Sequence, residues 1–178
     1  MMELPLFQAL PRQQTLDYPG IMHAIAENSA RPRYTFMVLD LIARVAGERG
    51  QAGPQVRDGD SLVPIREWLS NAIAPSAARH YNRRSTAEKV RRSMTEQGVP
   101  TEGSAEARQR LEDEIACRVR LSGMTAVSRA VSELVKAGLI KRHYQGFRVD
   151  HENRGAQRHV VYTVPPQVLA VLERRHTG

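Results

Sequence analysis

Apolar residues recur every three or four positions over much of the chain, which is the spacing of one buried helix face. The first strong helix is YTFMVLDLIARVAGE, where Thr35 is a candidate N-cap and Gly47 a stop, giving a helix over 35–47. A second helix fits VPIREWLSNAI, with Pro64 in its first turn and Trp68 as a core anchor. The hydrophobic pattern therefore predicts two amphipathic helices in this region.

The segments around these helices carry turn-forming residues. Residues 1–33 contain four prolines and one short helical candidate at 21–27, so we predict an arm that packs on the rest of the chain. GERGQAGPQVRDGDS, residues 47–61, has the Gly, Pro and Asp content of a surface loop.

The stretch from 79 to 92, RHYNRRSTAEKVRR, is strongly basic. Ser85 or Thr86 is a candidate cap for a helix that ends at Gly98, with Val90 and Met94 as its sparse apolar contacts. One interpretation is a solvated basic helix. The other is an element that contacts phosphates through the donors Arg83, Arg84, Lys89, Arg91 and Arg92.

Two further helices are predicted after a loop at 98–104. The first opens at Ser104 and carries apolar residues at helical spacing up to Val119. RLSGM, residues 120–124, is predicted as a turn. A new helix then starts near Thr125 as its N-cap, ends at Gly138, and buries one face made of Val127, Ala130, Val131, Leu134 and Val135.

Past Gly138 the hydrophobic period changes from 3.6 to 2. LIKRHYQGFRV alternates around Ile140, Tyr144 and Val149, and RHVVYTV alternates with Val160, Tyr162 and Val164 on one side. DHENRG between them has turn composition, so a basic β-hairpin is predicted. QVLAVLERR, after two prolines, forms a last short helix.

These elements predict a mainly α fold with a small β-hairpin, of the α+β class. We divide the chain into four parts: an arm at 1–33, a helical region at 34–103 that holds the basic segment 79–92, a helix–turn–helix with hairpin at 104–164, and a final helix at 165–178.

The charge and the amino-acid composition of the chain limit the kinds of partner that it is expected to bind. The chain of 178 residues has 26 Lys and Arg against 19 Asp and Glu, a formal charge of +7, which favours a polyanionic partner. Aromatic residues make up 5%, too few for a platform that stacks single-stranded bases. Cys117 is the only cysteine, so neither an internal disulfide nor a cysteine zinc cluster is expected. The N-terminus lacks signal-peptide features and no segment is apolar enough for a membrane, so a cytoplasmic protein is predicted.

The sequence offers little for catalysis. The six histidines are scattered, without an HExxH pair or another compact metal spacing. A phosphate-binding loop, a G-x-G-x-x-G fingerprint and a G-x-S-x-G elbow are all missing from the sequence. We therefore expect a binding protein with no cofactor and not an enzyme, and nothing in the sequence names a small-molecule effector.

One stretch resembles a known group. EIACRVRLSGMTAVSRAVSELVKAGLIKR, followed by the late VVYT strand, is similar to the DNA-binding module of MarR-like winged helix-turn-helix regulators. The resemblance covers about residues 104–164, roughly a third of the chain. Arg120 stands in the predicted turn at a place where many such motifs carry glycine.

The resemblance implies a homodimer that binds double-stranded DNA as a transcriptional regulator. The helix at 125–137 would read bases through Thr125, Ser128, Arg129 and Ser132. The wing at 141–160 and the helix end would contact the backbone through Lys136, Lys141, Arg142, Arg148, Arg154 and Arg158. The arm with helix 35–47, or the final apolar helix at 168–174, is the candidate dimer surface.

Two alternatives remain open on sequence grounds. The same module would serve a replication or partition factor of a plasmid or other mobile element, with the segment 79–92 extending the footprint. In another class of function, a winged helix acts as an adaptor that binds an acidic protein, and Arg129 would then be dispensable.

Overall fold

The structure is a computed structural model that describes residues 16–73, 76–145 and 159–176. The helices are α1 (Tyr18–Asn28), α2 (Pro32–Val45), α3 (Ile65–Ile73), α4 (Ser76–Glu96), α5 (Ala105–Lys136) and α6 (Pro166–His176). The strands are β1 (Gln51–Ala52), β2 (Gln55–Asp58), β3 (Ser61–Pro64), β4 (Lys141–Gln145) and β5 (His159–Thr163). The predicted α+β class, mainly helical with little strand, is confirmed.

The strands form two small antiparallel sheets. β5 is central in the order β1–β5–β4, and its pairing with β4 sets Arg142 across from Tyr162. The predicted strands of the hairpin are thus confirmed, whereas its connection, residues 146–158, lies outside the described residues. β2 and β3 pair separately as a short hairpin.

The surface loop predicted at 47–61 is wrong, because this segment holds β1, β2 and the start of β3. Its strands are two to four residues long, and only Ala52 and Val56 are buried in β1 and β2. Such short, mostly polar strands have almost no hydrophobic alternation. Their Gly, Pro and Asp residues therefore dominate the pattern.

One apolar core joins elements from both ends of the chain. It contains Ile21 and Ile25 of α1 together with Val168 and Leu172 of α6, all at most 1% exposed. The short helix predicted at 21–27 is confirmed as part of α1, and the last helix is confirmed as α6. The apolar faces of α2 and α6, proposed above as dimer surfaces, contribute to this internal core.

The most important correction concerns the turn predicted at 120–124. α5 runs without interruption from Ala105 to Lys136. Ser104 is its N-cap, as predicted, and accepts a hydrogen bond from the Ala107 N–H at 3.1 Å. Thr125 is not an N-cap: its hydroxyl donates to the Leu121 carbonyl one turn earlier, at 2.9 Å. Arg120 therefore needs no left-handed backbone, which explains the absence of glycine there.

Gly123 looked like a turn residue but lies where α3 crosses α5. A Cβ atom built on Gly123 would lie 2.1 Å from Ser70 Oγ and 3.5 Å from Ser70 Cβ. A glycine in the middle of a helix normally costs about 1 kcal/mol relative to alanine. Here it leaves room for the Ser70 side chain where α3 packs on α5.

The crossing makes a testable prediction. We expect Gly123→Ala to destabilise the protein only through the Ser70 hydroxyl, because the clash is with that oxygen. In a Ser70→Ala background the same change should be neutral or stabilise by up to about 1 kcal/mol. Urea unfolding of the four proteins of this double-mutant cycle measures both effects. Additive effects of the two changes would contradict a direct contact.

Smaller differences concern individual positions. Thr35 is not an N-cap but lies buried inside α2, which begins three residues earlier at Pro32. Val135 is 37% exposed, so it does not belong to the buried face as predicted. α4 begins at Ser76 and not near Ser85. The remaining predicted face of the second half of α5 is buried, and Gly138, with φ of 72°, ends the helix as expected.

α4 and the first half of α5, from Ala105 to Arg120, form a two-helix unit. It is called the arm from here on and is distinct from the N-terminal arm predicted at 1–33. Its buried residues Val90, Leu111 and Ile115 make a cluster separate from the main core, with Met94 packed against it. The predicted apolar contacts of the basic helix, Val90 and Met94, are thus confirmed. The arm is inserted in the chain between α3 and the second half of α5, which both pack in the main core.

Candidate nucleic-acid interface

The second half of α5 has two opposite faces. Val127, Val131 and Leu134 are fully buried in the core. On the opposite side, exposed residues follow each other at alternating spacings of four and three, which keeps them in one row along the helix. This row, called the outer stripe below, consists of Ser122, Thr125, Arg129, Ser132 and Lys136.

Three hydroxyl groups near the outer stripe donate to the helix backbone. Thr125 bonds to Leu121, as described, while Ser128 Oγ donates to the Met124 carbonyl at 2.8 Å and Ser132 Oγ to the Ser128 carbonyl at 3.0 Å. These bonds fix the side chains close to the helix surface, and their lone pairs remain acceptors. Thr125 and Ser132 are exposed, whereas Ser128 is half-buried and lies beside the stripe.

Arg129 lies in the middle of the outer stripe and is exposed. Within the described part of the chain, none of the ion pairs or side-chain hydrogen bonds involves its guanidinium. The same holds for Lys136 and Lys141. These three cations therefore have no intramolecular partner among the described residues to compete with an external anion.

Arg142 connects the base of the hairpin to the outer stripe. Its Nη1 donates to Ser132 Oγ at 3.4 Å, and its guanidinium carbon lies 6.0 Å from the centre of the Tyr144 ring. Lys141 precedes it and is exposed. The structure thus brings Arg142 into contact with the outer stripe, whereas no described contact links Lys141 to it. Arg148, Arg154 and Arg158 lie outside the described residues.

A polar contact that the sequence did not reveal holds α5 against α2. Thr35, a buried polar residue, donates through its hydroxyl to Glu133 Oε2 at 2.9 Å. Ser29 Oγ lies 2.8 Å from the same hydroxyl. Because Glu133 and Ser132 are adjacent in sequence, this bond helps to fix the rotation of α5 that turns the outer stripe away from the core. The 98-residue separation left no local signal to find it.

Tyr162 lies buried in β5, the central strand of the three-stranded sheet. Burial raises the pKa of its hydroxyl to about 12, and the nearby cations Arg66 and Arg142 only partly offset that rise. A buried tyrosine that stays neutral keeps the central strand free of an uncompensated charge.

This pKa predicts a loss of stability in alkali. Between pH 10 and 12 an unfolded chain releases the Tyr162 proton while the folded chain retains it, so rising pH favours unfolding. We expect the free energy of unfolding of the wild type to fall by about 2 kcal/mol more than that of Tyr162→Phe over this window. Denaturant titrations at pH 9 and pH 11.5 compare the two. Equal losses would contradict the prediction.

The predicted phosphate donors on α4 are not equivalent. Arg83 forms an ion pair with Glu112 of α5, so its charge is compensated within the arm. The other four, Arg84, Lys89, Arg91 and Arg92, are exposed, and none of the ion pairs among the described residues includes them. The basic surface of α4 is therefore available to an external partner.

Other kinds of site find little support in the described ranges. No three His, Cys, Asp or Glu side chains come together there in a way that would hold a metal ion. Within the same ranges, every helix is too short or too polar to cross a membrane. Comparison with protein-family models, with curated protein sequences and with solved structures gives no match to this chain.

Proposed function

We propose that the protein binds double-stranded DNA in a sequence-specific manner and acts as a transcriptional regulator in the cytoplasm. The outer stripe of α5 carries this proposal: a row of exposed hydroxyl and basic side chains, opposite the core, with the base of a basic hairpin beside it. In this proposal the second half of α5 is the reading helix and β4–β5 is the wing.

The chemistry of the outer stripe suits a major groove. The groove is about 12 Å wide and admits one α-helix, and an arginine fork pairs with guanine O6 and N7. Arg129 has no intramolecular partner among the described residues and is flanked by the short side chains of Thr125 and Ser132. Those side chains let the helix backbone come close to base edges, and they accept hydrogen bonds from exocyclic amines. Lys136 and Arg142 lie at the end of the row, where they would meet phosphates, and Lys141 would add a backbone contact from the hairpin.

The order of the packed elements also supports a winged helix-turn-helix, with one change from the sequence-based assignment. The first helix of the motif is α3, not the segment after Ser104, because α3 crosses α5 at Gly123 and both pack in the main core. The arm occupies the place of the usual short turn. β4 and β5 follow α5 in the chain, and β5 also pairs with β1, which precedes α3.

We further propose that two copies bind together, because the regulators that the chain resembles act as dimers. Two reading helices would then contact half-sites about 34 Å apart, one turn of the duplex. The apolar residues of α2 and α6 that pack in the core would not be available to such an interface.

A gel-shift titration tests the proposed function. The wild-type protein is mixed with labelled genomic duplexes and an excess of unrelated competitor DNA at about 0.15 M salt. We expect a subset of fragments to remain bound. Uniform displacement of all fragments by the competitor would exclude sequence-specific binding.

The position of the bound fragments separates the regulator from a replication or partition factor. A single palindrome in a promoter supports regulation, as proposed. Iterated copies of the site at a replication origin would replace that role by replication or partition without changing the mode of binding.

A further inference from the structure

α4 packs on the same side of α5 as the one that carries the outer stripe further along the helix. Leu111 precedes Arg129 by 18 residues, which is five complete turns at 3.6 residues per turn. The same spacing separates Ala107 from Thr125. Because Ala107 and Leu111 are buried in the arm, where α4 packs on α5, α4 covers the face that carries the outer stripe further along. A duplex seated on the stripe would therefore have α4 on its own side of α5.

The distance places this contact beside the DNA site and not on it. At 1.5 Å per residue, Leu111 lies about 27 Å along the helix axis from Arg129. One turn of the duplex is about 34 Å long. In a complex where α5 follows the major groove, α4 would thus face the backbone beside the base that Arg129 reads.

The surface of α4 that turns away from its buried residues is basic. Arg92 lies almost opposite Val90 around the helix, and Arg84 and Arg91, seven residues apart, share an adjoining side. Glu88 and Glu96 are the exposed carboxylates on this side, and in the described residues neither forms an ion pair with an arginine of α4. Glu112 and Glu114, on α5, are already paired with Arg83 and Arg118. Three uncompensated arginines therefore dominate this surface.

We propose that the arm is a second DNA-binding element, which holds the sugar–phosphate backbone beside the site read by the outer stripe through Arg84, Arg91 and Arg92. The inference rests on the proposed function and deepens it, because it adds a region of flanking duplex to the footprint. Phosphate contacts carry no sequence information, so the arm would contribute affinity and register and leave base preference unchanged.

The test compares two triple variants with equal loss of charge. The arm variant is Arg84→Gln, Arg91→Gln and Arg92→Gln. The control carries the same change to glutamine at three exposed arginines outside the arm and the outer stripe, namely Arg33, Arg49 and Arg57. Affinity is measured by fluorescence anisotropy between 0.05 and 0.3 M salt. Each protein is titrated with the selected site in a minimal duplex and in one extended by a turn on each side.

We expect the extended duplex to bind the wild type at least about tenfold more tightly than the minimal one at 0.1 M salt. The arm variant should lose this gain, and its salt slope should fall by about 0.9 for each arginine that contacts a phosphate. The control should keep both. Glu88→Gln should act in the opposite sense and strengthen binding to the extended duplex, because it removes a negative charge from the contact surface.

The outcomes separate the two proposals. If the wild type binds neither duplex, the proposed function is wrong and the arm proposal is wrong with it. If the wild type binds but the arm variant keeps the flank dependence and the slope, the arm proposal is wrong while DNA binding stands. Equal losses in both triple variants would also overturn the arm proposal, because net charge and not position would then set the affinity.

Discussion

Ser122→Pro should destabilise the protein by about 3 kcal/mol or more, because residue 122 lies inside a continuous helix. Proline removes one backbone hydrogen bond, and its ring clashes with the carbonyl of the preceding turn. For a chain of this size such a loss lowers the melting temperature by roughly 6–12 °C. Thermal unfolding followed by circular dichroism measures it. The prediction is sharp because the side chain of Ser122 is exposed, so the backbone carries the whole effect.

Ser122→Ala is the matched control, and it should be neutral or slightly stabilising because alanine is the best helix former. If residues 120–124 formed a turn between two helices, proline would be tolerated there far better. A proline variant as stable as the alanine variant would therefore contradict the uninterrupted α5 and would restore the turn that the sequence predicts.

Arg129→Ala should weaken binding to the selected DNA site by about 1–3 kcal/mol, or roughly 5- to 150-fold, and relax the preference at one base pair. Arg129 is exposed on the outer stripe and packs on nothing in the core, so the fold should be unaffected. Affinities for the selected site and for its three single-base variants at each position locate the base that is no longer read.

Two controls give this result its meaning. Arg129→Lys should restore only part of the affinity and little of the preference, because an ammonium group cannot bond both guanine acceptors as the planar fork does. Arg33→Ala removes an exposed charge from α2 and should change affinity only slightly. If Arg129→Ala weakens all sequences equally, the side chain contacts a phosphate and the reading role passes to other residues.

Periodic segments could be predicted because their signals are local. The buried face of the second half of α5, the stop at Gly138 and the change of period that marks the hairpin all follow from neighbouring residues. Ser104 was found for the same reason, since a capping hydroxyl bonds to a residue three positions away.

The turn before Thr125 was predicted wrongly because a Ser-Gly pair is compatible both with a turn and with a helix that is packed closely against another helix. Ser122 and Gly123 weaken a helix in isolation, and a turn is the usual way in which a chain uses them. Here the tertiary contact with Ser70 explains the glycine, and Ser70 is far away in sequence. β1 to β3 were missed for a related reason: their pairing is with distant or very short segments.

The candidate site was partly visible from the sequence. Arg129, Thr125 and Ser132 could be placed on one exposed side by helical spacing. The link from Arg142 to Ser132, the bond between Thr35 and Glu133, and the position of α4 on the side of the outer stripe depend on how the helices pack. Local patterns do not encode these contacts.

Selection of bound duplexes from a random pool, followed by sequencing, tests directly whether the protein binds double-stranded DNA in a sequence-specific manner. We expect the wild-type protein, at about 0.15 M salt, to enrich one short motif, with two copies about one turn apart for a dimer. The same selection with Arg129→Ala should lose the preference at one base pair of that motif. A pool that stays random after repeated rounds with the wild-type protein would contradict sequence-specific DNA binding.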